Sequence, residues 1–345
     1  MDKRCYSEEL TNHKEATFPS SIFHNLTTEI GCNCTEIQAS NNLSFQLACS
    51  AFPFHHHWAV QLVYITLFSA LIAVSVGGNI TVIWIVLAHK RMRTVTNYFL
   101  LNLAIADCSI SVFNVCFSFT WNFYYRWFFG SFYCAFNNLM AVTPTCASVF
   151  TLMGMSLERY MAIVHPLTPR LSRRKTVSCI VTIWVCAILC GLPNLMASHV
   201  ISVFFYSEGE YTQVDMCLAS NYEGGENSVL FKTYNYFLLA ISYVLPLIIL
   251  SVTFIRVGRE LWGSSPIGEN YHDQNILTKR KVVKMMMVVV ALFMICWFPY
   301  HMYFTVLIEC FKGSIWLLWA YLHIYWLAMS STMVNPIIYC WMNAR

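Results

Sequence analysis

Seven stretches of the chain are almost free of charged residues, and each exceeds the roughly 20 apolar residues that a helix needs to cross a bilayer. They run from Trp58 to Ala88, Thr94 to Tyr125, Trp127 to Leu157, Thr176 to Ser207, Thr233 to Ile255, Met285 to Ile308 and Gly313 to Ala344. Asp107, in the second, is the one acid inside them. The pattern predicts an all-α membrane protein, a seven-transmembrane helix bundle over residues 58–341. Residues 1–57 are polar and without periodicity, as expected of a flexible tail rather than a domain. Residues 342–345 are expected to start a truncated or very short cytoplasmic tail. The other sizeable connections are Ser198 to Lys232 and Gly258 to about Lys279.

Composition agrees. Of 345 residues, 57% are hydrophobic and 11% charged, where a soluble domain carries roughly 25% charged. A water-soluble enzyme is therefore excluded. No metal-spaced His/Glu pair, nucleophile motif or phosphate loop is visible, so neither enzymatic activity nor a nucleic-acid partner is expected. Trp58, Trp121, Trp127 and Trp341 sit near segment ends, at the depth where amphipathic rings meet headgroups.

Charge sets the orientation. The tail and the even-numbered loops sum to −6, and the opposite side to +11. Basic loops stay in the cytoplasm, which puts the N-terminus outside at the plasma membrane. Three glycosylation sequons, at Asn25, Asn33 and Asn42, lie in that tail. The first 36 residues lack the apolar core of a leader, so the first membrane helix is expected to act as the insertion signal. No internal repeat is found, and inverted halves are common in secondary transporters; a polytopic transporter is the disfavoured alternative.

Outside, Cys134 and Cys217 face an oxidising medium. A bridge between them would close an 83-residue loop, stabilising by at most roughly 4–5 kcal/mol and pinning the outer loop over the bundle. Cys5, Cys32, Cys34, Cys49 and Cys310 are also outside, and their pairing stays open. The remaining cysteines read as packing residues. His55-His56-His57 reads as an interfacial cap rather than a metal site, because adjacent helical residues diverge.

A buried acid in lipid asks for an explanation. Asp107 is either a structural carboxylate or a cation or proton site, with Asn79, Ser148, Ser331 and Asn335 as polar residues able to complete it. Arg159, 25 residues after Cys134, lies about 37 Å further along a helix, at the opposite membrane face. Pro193, Pro246, Pro299 and Pro336 fall inside four spans, and each removes a backbone hydrogen bond and tends to kink its helix.

Gly78-Asn79, Leu103-Ala104-Ile105-Ala106-Asp107, Cys134, Glu158-Arg159-Tyr160, Trp184, Pro246, Cys296-Trp297-Phe298-Pro299 and Asn335-Pro336-Ile337-Ile338-Tyr339 fall in order, one set per helix. Residues 58–345 thereby resemble a rhodopsin-like G-protein-coupled receptor. Ala141 and Met329 stand where amine receptors and opsins of that family carry their anchoring Asp and Lys. Longer strings, among them residues 91–99, 126–130, 261–264, 267–270, 279–285 and 325–330, resemble tachykinin receptors, with insect tachykinin-related peptide and natalisin receptors nearest.

The resemblance implies an amidated peptide agonist, a heterotrimeric G protein and membrane lipids as partners. Asn114, Asn137, Asn138, Asn194, His301, Tyr321 and Tyr325 then offer the polar and aromatic groups of the ligand pocket. Of these, Asn114, Asn138 and His301 match contacting positions of tachykinin receptors, while Asn137 and Asn194 differ from the vertebrate residues. Glu158, Arg159, Phe293, Trp297, Pro299, Asn335, Pro336 and Tyr339 would form the activation switch. Asp107, Ser148 and Asn335 would form an allosteric sodium site, with no other cofactor and no resident metal. Phe254 replaces a tyrosine common among relatives. Acidic Glu208, Glu210, Asp215, Glu223 and Glu226 would draw a basic peptide. The alternative is a receptor of the same class for another amidated neuropeptide.

Overall fold

In the computed structural model, residues 45–48, 57–169, 171–207, 210–219, 229–263, 270–311 and 315–343 are described; side chains of 45–48, 203–207, 210–212, 263, 270–279, 315, 318 and 339–343 are not. The sequons, the N-terminal cysteines, His55, His56, Glu208, Glu223 and Glu226 lie outside the described residues, as do the side chains of Glu210, Lys279 and Tyr339.

Seven long helices form the bundle. They are α1 (Trp58–Ala88), α2 (Val95–Tyr124), α3 (Gly130–Val164), α4 (Arg173–Ala197), α5 (229–263), α6 (270–310) and α7 (Ile315–Asn343). Among the described residues, α1 to α6 contain stretches long and apolar enough to span a membrane. Their starts follow from capping groups. The His57 ring accepts the Ala59 N–H at the head of α1, Thr94 accepts from Asn97 before α2, and Ser172 accepts from Lys175 before α4; such acceptors satisfy first-turn donors that have no helical partner.

Several expected boundaries are corrected. The fourth span ends at Ala197, and Ser198–Ser207 is a strand, β2, paired antiparallel with β3 (Glu210–Ala219). The uncharged run HVISVFFY read as membrane, but its β-branched and aromatic residues suit an extended chain. Phe45–Ala48 is a third strand, β1, parallel to β2, so the segment expected to be wholly tail carries one element. Helices α3, α5 and α6 extend beyond the apolar runs on their cytoplasmic sides. The inner connection therefore shrinks from 258–279 to the stretch between Gly263 and Asn270. Pro144 sits inside α3, a fifth intrahelical proline the sequence reading passed over.

Three helices loosen for one turn into wider π geometry: Ser111–Val115 in α2, Ala240–Val244 in α5 and Tyr303–Leu307 in α6. Each inserts a residue and re-aims the side chains around it. In α5 the wide turn ends just before Pro246, whose missing N–H already interrupts the ladder. These turns carry Ser111, Asn114, Ser242 and Tyr243, all used below.

The core runs along the bundle axis through Phe68, Leu103, Leu152, Leu250, Phe293, Trp297, Tyr325 and Met329. At Gly78 a β-carbon would come within 2.7 Å of the Pro336 ring, so α1 can seat the α7 kink only because position 78 has no side chain. Gly78→Val is expected to lower the melting temperature of the purified protein by about 5 °C, the overpacking cost of a crowded contact; an unchanged melting curve would refute that packing role.

Candidate functional site: a polar line through the bundle

At the outer end, β2 and β3 lie over the helices and are held there at four points. Cys134 at the start of α3 is bonded to Cys217 of β3. The Trp127 N–H donates to the Asp215 carbonyl at 2.7 Å, and the Trp127 indole N–H to the Gly130 carbonyl at 2.8 Å. The Asn138 amide donates to Ser198 Oγ at 2.7 Å, and Ser198 donates to the Asn194 carbonyl at 2.6 Å. Trp127, Cys134 and Cys217 form a small buried cluster of their own. The Asp215 carboxylate, expected to attract a peptide, accepts from Ser202 Oγ at 2.7 Å. Asn194 enters this arrangement through its backbone.

Beneath the hairpin is a knot of amides. Asn114 donates to Ser118 Oγ at 2.9 Å and to both oxygens of Asn137 at 3.1 and 3.2 Å, and its own oxygen accepts from the Tyr325 hydroxyl at 2.9 Å. Asn137 returns a bond to Ser118 at 3.0 Å. All four side chains are buried, Asn114 to 1% exposure, where an unpaired amide would cost about 1–3 kcal/mol. Three helices, α2, α3 and α7, are thereby tied through one asparagine. Tyr321 lies 5.9 Å from Tyr325 and stacks among Tyr300, Tyr303 and Phe304. His301 is buried between Tyr243, at 5.2 Å, and Trp297, at 6.3 Å, with Ser242 Oγ 3.5 Å from Nε2. The structure thus gathers Asn114, Asn137 and Tyr325 into one cluster, and sets His301, Tyr321 and Asn138 around it.

In the middle, the Trp297 indole donates to Ser331 of α7 at 3.0 Å and stacks on Phe293 at 5.7 Å. One turn further along α7, the Asn335 amide donates to Asp107 Oδ2 at 2.6 Å, and Ser148 donates to Oδ1 at 2.8 Å. Asp107 is 3% exposed and bonded from α3 and α7 at once. Beside it Ser75, Ser111 and Thr332 share hydroxyl bonds of 2.7 to 3.4 Å, and Asn79 reaches the Thr332 carbonyl at 3.0 Å. Asn102 bridges Thr151 and the Trp184 indole at 2.7 and 2.8 Å. Ser75, Asn102, Ser111, Ser118, Thr151 and Thr332 were missed in the sequence, where isolated small polar residues carry no pattern.

At the inner end, Arg159 Nε stands 3.4 Å from Glu158, and the guanidinium donates to Thr96 Oγ1 at 2.6 Å. The same Thr96 hydroxyl lies 3.3 Å from Glu158 Oε2. The Glu158–Arg159 pair is therefore closed onto α2. Phe254 packs with Val257, Leu261, Val283 and Tyr160 in a purely apolar contact of α3, α5 and α6. Pro336 is buried against Gly78; Tyr339 belongs to α7, with its side chain outside the described set.

From outside to inside the line thus runs from a buried amide cluster, through a tryptophan–serine bond beside an intrahelical proline, to an arginine partnered by Glu158 and Thr96. The sequence signature of the 7 transmembrane receptor (rhodopsin family) matches residues 78–339. The chain is 40% identical to the Tachykinin-like peptides receptor 99D of Drosophila melanogaster, over 94% of this chain and 64% of that one. It is 41% identical to the Neuromedin-K receptor of Rattus norvegicus, over 84% and 62%, and 40% identical to the human Substance-P receptor, over 84% and 69%. The chain therefore spans less than two thirds of the length of the first two. With its hydrophobic spans and disulfide-pinned hairpin, it belongs to the rhodopsin family of seven-transmembrane receptors, multi-pass proteins of the plasma membrane with an extracellular N-terminus.

Proposed function

We propose that the protein is a receptor for an amidated neuropeptide of the tachykinin-related type, and that it activates a heterotrimeric G protein by outward movement of α6. The reading rests on the buried Asn114–Asn137–Tyr325 knot, which presents amide donors and acceptors rather than a counterion, together with relatives named for tachykinins, neuromedin K and substance P. A peptide amide can exchange partners with such a knot, and the surrounding tyrosines supply the apolar walls that peptide pockets use.

Agonist would bind better to the bundle state in which the inner half of α6 is swung out. Pro299 gives the hinge. Trp297, held to Ser331 and stacked on Phe293, is the ring that must shift, and Ser331 lies one turn from Asn335 on the same helix. Release of the Asn335–Asp107 contact would reach Pro336 and the inner end of α7. Arg159, freed from Glu158 and Thr96, would then meet the terminal helix of the G protein. Arg280 already grips the Leu261 carbonyl at 2.9 Å and stacks over Trp262, so the end of α5 would travel with α6. Lys281 and Lys284 would line the opening or meet anionic lipid.

Asp107, Ser148 and Asn335 would also hold a sodium ion in the resting state. Among the described residues the carboxylate is buried without a basic partner, and its own oxygens and the Ser148 hydroxyl oxygen are hard ligands of the kind that suits such a cation. The bound ion would neutralise the carboxylate there. Asp107→Asn is expected to abolish sodium inhibition of agonist affinity; sensitivity persisting in that variant refutes the site. The function itself is tested by calcium and GTP-loading dose-response of cells expressing the protein against tachykinin-related and natalisin peptides. Nanomolar activation by one set is expected, and silence with every amidated neuropeptide overturns the reading.

A further inference from the structure

Behind Asp107, away from the polar line, α3 and α4 meet across a patch of small residues. Ala106 of α2, Cys146 and Ala147 of α3, and Ala187 and Cys190 of α4 form a buried cluster of their own. Small side chains let membrane helices approach at backbone distance, and here they do. A β-carbon at Gly191, the residue after Cys190, would run into Thr143 Oγ1 and stand 3.4 Å from the Leu139 carbonyl oxygen, both on α3. The Cys190 carbonyl accepts from the Tyr234 hydroxyl at 2.8 Å, so this turn of α4 is also held from α5. In that setting the Cys146 and Cys190 thiols are hydrogen-bonded to one another, and both are free. Two other free thiols among the described residues meet oxygen instead, Cys116 the Ser111 carbonyl at 3.3 Å and Cys296 the Ser330 hydroxyl at 3.8 Å.

Packing alone asks for small side chains here, and alanine supplies them at 106, 147 and 187; two sulphurs in mutual contact add chemistry. A disulfide needs its α-carbons roughly 4.4–6.8 Å apart, a span within reach of helices that touch through a glycine. We propose that Cys146 and Cys190 are a peroxide-oxidisable dithiol whose disulfide locks α3 to α4. Cys190 is 8% exposed and Cys146 1%, so Cys190 is the sulphur that a small neutral oxidant reaches first. As thiolate it attacks hydrogen peroxide: the S–O bond forms, the O–O bond breaks, the departing hydroxide takes up the thiol's proton as water, and Cys190 becomes a sulfenic acid. The Cys146 sulphur, already in contact, then attacks the Cys190 sulphur. The S–S bond forms, the S–O bond breaks, and the hydroxyl leaves as a second water with the Cys146 proton. Two electrons pass from the thiols to one peroxide, and a small dithiol reverses the step by exchange. Ser148, two residues after Cys146, donates to Asp107, so a bridge that fixes this turn of α3 also holds the resting contact. Its effect on signalling rests on the receptor reading; the bridge itself does not.

The experiment separates the two. Purified protein in nanodiscs is treated with hydrogen peroxide, denatured in N-ethylmaleimide, digested without reductant and read by mass spectrometry, while a matching sample is melted. A peptide joining Cys146 to Cys190 is expected, with a melting temperature several degrees higher, as a cross-link between positions 44 residues apart confers. Dithiothreitol, at a dose that leaves Cys134–Cys217 intact in the same digest, is expected to reverse both. Cys146→Ser and Cys190→Ser are expected to lose both effects and Cys116→Ser to keep them. With G protein and an amidated tachykinin-related peptide, peroxide is expected to lower GTP loading at least twofold in the wild type and in Cys116→Ser, and not in the other two variants. Alkylated thiols or separate sulfinic acids at both positions, with no joined peptide, overturn the site; a joined peptide that leaves GTP loading unchanged overturns the lock. If the bridge forms and raises the melting temperature while no peptide activates even the reduced protein, the dithiol stands and the receptor reading falls.

Discussion

Replacing Asn114 by leucine is expected to lower the affinity of an amidated tachykinin-related peptide by about 10- to 100-fold and to destabilise the ligand-free protein as well. Leucine keeps the branching and heavy-atom count of asparagine, so the change removes the hydrogen bonds with a modest gain in volume. It strips the Tyr325 hydroxyl of its acceptor and Ser118 and Asn137 of a donor, in a site where Asn114 and Asn137 are almost fully covered. One buried group left unpaired costs about 1–3 kcal/mol, and 2.7 kcal/mol corresponds to roughly a hundredfold in binding. Radioligand competition and a thermal melt of the detergent-solubilised protein read the two effects. A lowered melting temperature with unchanged affinity would make Asn114 a structural tie between α2, α3 and α7 and remove it from the pocket.

Cys217→Ser carries the other large effect. The bridge to Cys134 closes an 83-residue separation, which chain entropy values at roughly 4–5 kcal/mol as an upper figure. The hairpin keeps three further anchors without it, Trp127 to Asp215, Asn138 to Ser198 and Ser198 to Asn194, each a single bond of roughly 1 kcal/mol. Those cannot hold a ten-residue strand pair against its lost entropy. Peptide binding is expected to fall more than 100-fold and surface expression several-fold, while Cys310→Ser, at an exposed free cysteine, changes neither by more than twofold. Wild-type affinity in Cys217→Ser would show that the hairpin needs no pin.

Much of this architecture could be read from residues alone because lipid is an unforgiving solvent. Runs without charge locate the helices, since a span must satisfy its backbone internally and exclude ions. Where that logic stops, the reading slipped. The cytoplasmic turns of α5 and α6 are helical but charged, so they read as loop, and Ser198–Ser207 is uncharged but extended, so it read as membrane. The motif residues Asp107, Trp297 and Asn335 were visible by type and order, yet the bonds joining them to Ser148 and Ser331 depend on which way neighbouring helices rotate. The wide turn at 111–115, which carries Ser111 and Asn114 into buried bonds with neighbouring helices, is likewise announced by no period in the sequence. Small hydroxyls such as that of Thr96, which ties Arg159 to α2, are legible only once the helices are packed.

The central claim is that an extracellular peptide changes the packing of α6 on the inner side. The direct measurement places genetically encoded labels at Arg174, exposed at the start of α4, and at Lys281, exposed near the inner end of α6, and follows their separation in nanodiscs by pulsed dipolar spectroscopy. An amidated tachykinin-related peptide is predicted to lengthen the distance by several ångströms, less so in Trp297→Ala, with GTP loading on the G protein rising in step. A saturating peptide that leaves the distance distribution unchanged while GTP loading proceeds would contradict the account.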